Sequence, residues 1–173
     1  MLDFANNHKE KLDLLLQIAS SDLKYKYYNV SRYGSIVFEI ETSTWNKVSF
    51  VSLNDKNEVK GYVNVSFDNP YRSASLVMFN TEDNMNFLFD IKVLIKKLFT
   101  IYKVPRIYFS VLVGNPIEYI CDREVLKLGG RMWGISEKSI LALDGEICSQ
   151  KHYEILRENY IKLKEKEWCI NLE

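Results

Sequence analysis

The chain has 173 residues, nearly half of them apolar and 13% aromatic, enough for one domain over residues 1–173 with a proper core. Lys plus Arg equals Asp plus Glu, so the formal net charge is zero, which argues against a nucleic-acid partner. No apolar stretch approaches the ~20 residues that span a bilayer, and MLDFANNHKEKLDLLL lacks the pattern of a secretory signal, so the expectation is a cytoplasmic protein with no membrane partner.

In chain order, Leu12, Leu15, Leu16, Ala19 and Leu23 form one stripe of an amphipathic helix over 9–23. The tyrosine-rich stretch from Lys24 to Gly34 has no clear period and reads as loop or a short helix. Ser35 to Glu41 is dense in β-branched and aromatic residues and reads as a strand. Val48–Leu53 and Glu58–Phe67 alternate around the turn cluster Asn54-Asp55-Lys56-Asn57, predicting an antiparallel hairpin. Val59, Tyr62 (or Gly61), Val63, Val65 and Phe67 are its candidates for burial. After Asp68-Asn69-Pro70, Ala74–Phe79 is a further strand.

Phe87, Ile91, Leu94, Ile95, Leu98 and Tyr102 share a helix face, and Pro105 excludes continuation. Arg106–Val113 is nearly all apolar or aromatic, as for a strand covered on both faces. Asn115 then fits an N-cap, Pro116 the first helical position, and Glu118 a reach back to the Asn115 amide. Ile117, Ile120, Cys121, Val125 and Leu128 line this helix, and Gly129 ends it. Arg131–Leu143 and Glu146 to about Ile155 make a hairpin around Asp144-Gly145, and the charged tail (157–173) reads as helical from Leu156 to Trp168. The order predicts an α/β (α+β) fold: a mixed, mostly antiparallel sheet flanked by helices, with one parallel β-α-β crossover. The two crossover strands, Ala74–Phe79 and Arg106–Val113, should splay into a ligand cleft. Cys121, Cys148 and Cys169 are scattered, as suits reduced thiols, and His8 and His152 lie far apart, so no metal is expected.

This order resembles the GNAT N-acetyltransferase superfamily. Val111–Ile135 (VLVGNPIEYICDREVLKLGGRMWGI) is similar to the family's strand, Asn-initiated helix, Leu-Gly turn and following strand, and Leu141–Leu156 to its closing hairpin. The resemblance implies acetyl-CoA as cosubstrate, lying between the two splayed strands with its pyrophosphate on amides at the next helix's N-terminus. The family's turn there carries Arg or Gln, then Gly, then Gly or Ala. Here Asp83 stands in the first place, and Asn86 and Leu88 in the glycine places, so weak cofactor binding is expected. The family's usual Tyr before the Leu-Gly turn falls on Val125, and the Asn-initiated helix is longer by about a turn.

The resemblance makes Met78, Phe79, Asn84, Asn86, Phe87 and Asn115 the cofactor-binding candidates, with amides around Met78 and Phe79 holding the thioester carbonyl. Asn115 also serves as a plain N-cap, and the two roles coexist. Tyr119, four residues beyond Asn115, is the candidate acid for the departing thiolate, against the alternative of a packed surface tyrosine. Glu39 and Glu41, on one strand face, are the candidate bases, with Glu82 nearby. Burial suits Cys121 better than nucleophilic use, and Lys96-Lys97 reads as a solvated face. Two functions follow: direct acetyl transfer in a ternary complex to a small-molecule or protein amine, or a GNAT-fold binding or regulatory protein that has lost acetyl-CoA. Nothing in the residues decides between a monomer and a homodimer.

Overall fold

The computed structural model describes residues 1–27, 46–54, 56–68, 73–81 and 85–170. The first apolar stripe forms helix α1 (Lys9–Ser21), which buries Leu12, Leu16 and Ala19. It stops short of Leu23 because Asp22 leaves the helix, and its carboxylate accepts the Lys24 amide at 2.9 Å. A 3-10 turn over Leu23–Tyr25 follows, and Leu23 is exposed. A strand that sequence reading missed, β1 (Leu2–Phe4), precedes α1 and pairs with β2 (Lys47–Leu53). The strand expected over 35–41 lies outside the described residues.

Strands β2, β3 (Val59–Phe67) and β4 (Ala74–Asn80) run antiparallel. The Asn54 side chain accepts the Lys56 and Glu58 amides at the first turn. β3 is buried on both faces, so both candidates at its centre are internal. Tyr62 packs with the α1 cluster, while Gly61 lies under the Phe87 ring of α2 (Met85–Thr100). α2 buries Ile91, Leu94, Ile95, Leu98 and Phe99, and Tyr102 falls past its end and is exposed. From α2 the chain enters β5 (Arg106–Leu112), parallel to β4. Among the described residues this is the one parallel pair in a seven-stranded sheet of order β1-β2-β3-β4-β5-β7-β6.

After β5 come α3 (Glu118–Lys127), the hairpin β6 (Arg131–Leu141) and β7 (Ile147–Leu156), and α4 (Arg157–Ile170). The hairpin turns at Gly145, whose φ of 83° is a conformation that glycine adopts without strain. Burying Val125 and Leu128 holds α3 over β5 and β7. Lys151 of β7 ties down its outer edge through Glu118 at 2.5 Å and Asp122 at 2.9 Å. Among the described residues, β5 is covered on one face throughout and on the other only at Leu112, less than its composition suggested. Ile107, Phe109 and Val111 meet α2 and α3, but Ser110 on the other face is exposed. α1 covers the β2–β3 half of that face, and at the far end Leu112 is buried with Ile140, Ala142 and Cys148 under Tyr27, so among the described residues the exposed part of β5 on this face is around Ser110.

Candidate active site

The pairing of β4 with β5 is confined to Ala74–Ile107 and Ser75–Tyr108. Beyond it each strand stays with its other neighbour: β4 follows β3 as far as Asn80–Gly61, and β5 follows β7 as far as Leu112–Gln150. The two therefore part into the expected V. Ladder parity tells which main-chain groups face the gap. Thr81 N–H bonds Lys60 O at 3.1 Å and Asp68 N–H bonds Ser73 O at 2.8 Å, both between directly opposed residues. In an antiparallel ladder such pairs alternate with unbonded ones. Ser75, Val77 and Phe79 therefore turn their amides to β3, and Leu76 and Met78 turn theirs toward β5. Val113 N–H to Ser149 O and Arg157 N–H to Pro105 O, both 2.9 Å, likewise direct Ser110 and Leu112 toward β4.

A cleft of about 650 Å³ fills the V. Its walls on one sheet face are Met78, Ile91 and Leu88 with Ile117 just before α3 and Ile120 and Cys121 on it. Phe79 and Tyr25, from the opposite face, also line it, so the cleft passes through the sheet. The segment after α1 bridges its wide end. The Tyr25 hydroxyl donates to Thr81 O at 2.8 Å, just past β4, and Lys26 reaches Asp144 of the β6–β7 turn at 2.6 Å. The sequence reads as loop or a short helix here, and a 3-10 turn does form at Leu23–Tyr25, but the lack of a period hides the segment's role.

The predicted residues fall unevenly on this frame. Met78, Phe79 and Phe87 line the cleft. The two strand amides differ, however: Met78 aims its N–H into the gap, and Phe79 spends its own on the β3 ladder. Asn86 is exposed in the first turn of α2, and Leu88 lines the cleft where the resemblance has glycine or alanine. Glu39, Glu41, Glu82, Asp83 and Asn84 lie outside the described residues. Asn115 is buried, and its side-chain oxygen accepts the Ile117 amide at 3.0 Å in the turn before α3; the N-cap itself is Ile117, not Asn115 as expected. Glu118 reaches back to the Gly114 amide at 2.8 Å rather than to Asn115, whose N–H is already bonded to Leu112 O at 3.1 Å.

This tight turn corrects the placement expected for Tyr119. The helix begins only at Glu118, so the four-residue spacing from Asn115 is not helical and the two side chains do not share a face. Tyr119 is 71% exposed, sits near the Arg123 guanidinium and does not line the cleft. Cys121, which does line it, has its thiol pushed up to about 12 by burial and by the carboxylates of Asp122 and Glu118. Val125, where the resemblance has tyrosine, is buried in the core. At the cleft edge Glu124 is buried and joins α3 to α2 through Lys92 at 2.6 Å, with Lys127 at 2.9 Å and Arg123 at 3.0 Å on its other oxygen.

No family model and no curated protein sequence matches the chain. Solved structures do. The spermidine N-acetyltransferase of Vibrio cholerae, in complex with CoA and spermine, superposes with a TM-score of 0.73 at 18% identity, covering 93% of this chain and 97% of that one. The ribosomal-protein-S5-alanine acetyltransferase of Vibrio fischeri superposes at 0.56 with 14% identity, over 66% of this chain and 63% of the other. The chain has the fold of the GNAT superfamily. Among the described residues no helix is long and apolar enough to cross a membrane.

Proposed function

We propose that the protein is an acetyl-CoA-dependent N-acetyltransferase acting on an amine. The observation that carries this reading is the through-going cleft with the Met78 amide aimed into it from a strand that has lost its partner. An acyl-CoA arm entering from the α2–α3 side meets an apolar wall there. Its thioester oxygen then accepts the Met78 N–H, which stabilises the charge that develops as the amine attacks; one such donor is worth about 10²–10³ in rate. The acceptor is a small-molecule or protein amine, arriving from the opposite face. Glu39 and Glu41 are the sequence's candidates for the base, and Asn84 and Asn86 for contacts at the pyrophosphate turn.

The departing thiolate finds no acid on α3. Tyr119 is exposed and does not line the cleft, and a Cys121 thiol raised to about 12 is a weaker acid than an ordinary thiol at about 8.5. The product therefore leaves as thiolate and takes its proton from water. Acetyl-CoA should raise the melting temperature, and a hundredfold excess over its dissociation constant should add about 2.7 kcal/mol. No shift with either acetyl-CoA or CoA would sink the reading.

Leu88 favours a second reading, a GNAT-fold binding protein without acetyl-CoA, because its side chain fills space at the turn where phosphates must approach closely. Asp83→Arg separates the two. Under the enzyme reading it tightens acetyl-CoA binding, and Asp83→Ala tightens it less. Under the second reading neither confers binding.

A further inference from the structure

We infer that His152, acting through Ser110, takes the proton from the acceptor ammonium. This rests on the acetyl-transfer reading and assigns it a base that the sequence did not suggest. Ser110 lies two residues beyond the last β4-paired position of β5, Tyr108, and continuing that register sets it across the gap from Val77, beside Met78. Its neighbours Phe109 and Val111 pack beneath α2 and α3, so its own side chain stands on the opposite face. That is the face left for the acceptor once the α2–α3 side holds the acyl-CoA arm. Both Ser110 and Val77 are exposed there, Val77 by 54%.

Ser110 Oγ lies 2.8 Å from His152 Nδ1, and His152 Nε2 lies 2.7 Å from Ser136 Oγ. With Nε2–H donated to Ser136, Nδ1 is left to accept the Ser110 hydroxyl. The Trp133 ring covers the imidazole with centroids 5.2 Å apart, a contact that favours a cation once the ring is protonated. The carboxylates on this face are otherwise engaged. Glu154 is held by Arg106 at 2.8 Å and Arg131 at 2.7 Å, and Asp68 accepts the Tyr108 hydroxyl at 2.5 Å. Among the described residues there, His152 is the basic side chain in contact with the Ser110 hydroxyl. The step balances: the ammonium gives a proton to Ser110 Oγ as the Ser110 hydroxyl proton passes to His152 Nδ1. The freed amine then attacks the thioester carbon, the C–S bond breaks, and the imidazolium later returns its proton to water.

Two measurements test this. The first is activity, with acetyl-CoA and either spermidine or a peptide bearing an N-terminal alanine, followed by release of free thiol. His152→Gln should lower kcat by at least 10²-fold and Ser110→Ala by at least tenfold, while calorimetry gives both variants the parent's affinity for acetyl-CoA. The second needs no turnover: ¹⁵N–¹H correlation of the unliganded parent should find the neutral His152 ring protonated on Nε2. Unchanged kcat in His152→Gln, or a neutral ring protonated on Nδ1, overturns the relay. If His152→Gln does not fold, Ser110→Ala decides alone. A parent that binds acetyl-CoA but acetylates neither amine overturns the relay and leaves the cofactor reading standing; a parent that does not bind it overturns both.

Discussion

Replacing Glu124 by glutamine keeps its shape and removes the charge that joins the two helices walling the cleft. The carboxylate is 7% exposed, and Lys92, Lys127 and Arg123 surround it at 2.6, 2.9 and 3.0 Å. Hydrogen bonds from Lys92 first and Lys127 next, outweighing the cost of burial, lower its pKa from 4.5 to about 2. Linkage turns such a difference into about 3 kcal/mol at neutral pH. The three cations are each more than a third exposed, so solvent screens part of this, and about 2 kcal/mol is the expected loss in Glu124→Gln. The folded-state value lies below the unfolded one. The contribution is therefore complete above about 4.5 and is lost as the pH falls toward about 2. Urea unfolding of parent and variant at pH 7 and at successive steps down to pH 3 measures it. A difference below about 0.5 kcal/mol at pH 7, the worth of an ordinary surface pair, would refute the reasoning, as would a difference that does not shrink on acidification.

Leu88→Ala should tighten acetyl-CoA binding several-fold in calorimetry, because it clears the side chain that lines the cleft at the pyrophosphate turn; an unchanged affinity would show that the turn does not approach phosphate. Tyr119→Phe should leave both turnover and melting temperature at the parent values, and a tenfold loss of kcat would restore the hydroxyl to the chemistry. Gly130→Ala should cost about 3 kcal/mol in urea unfolding, since its Cβ would stand 2.5 Å from Glu154 O and 2.8 Å from side-chain carbons of Ile155 and Val125. Gly61→Ala should cost less, about 1–2 kcal/mol, and Phe87→Ala should relieve most of that, because the added Cβ meets the movable Phe87 ring at 2.5 Å.

The parallel crossover and its splay were legible because they follow from element order alone. A helix between two strands of one sheet forces a parallel pair, and pairing of only two residues on each strand leaves a gap. The period-2 and period-3.6 stripes located β2 through β5 and the first three helices for the same reason: burial of one face writes itself into the order of apolar residues. β1 was not legible, since three residues, Leu2–Phe4, are too few to display a period. The run Arg106–Val113 suggests cover on both sides, which among the described residues holds at Leu112 but not at Ser110, while Tyr108 meets Asp68 through its hydroxyl and stays half-buried.

The phase of α3 shows most clearly what spacing alone leaves undetermined. Asn115, Pro116 and Glu118 do lie at the approach to α3, but the cap falls on Ile117 rather than Asn115 and Glu118 reaches Gly114 rather than Asn115. Asn115 N–H goes to Leu112 O and Glu118 N–H to Asn115 O, a three-residue step that packs a tight turn before the first four-residue bond, Cys121 N–H to Ile117 O. A tight turn advances about 120° per residue where an α-helix advances about 100°. Over a few residues this difference rotates every later side chain by a substantial part of a face. Tyr119 stands out in solvent, while Ile120 and Cys121, on the apolar stripe that the spacing predicts, line the cleft with Glu124. The chemistry assigned to a helix near its N-terminus thus depends on which carbonyl accepts its first bonds. The Ser110–His152 contact depends instead on the β5–β7 register, which sets these two residues, 42 apart in sequence, opposite each other and leaves no local trace.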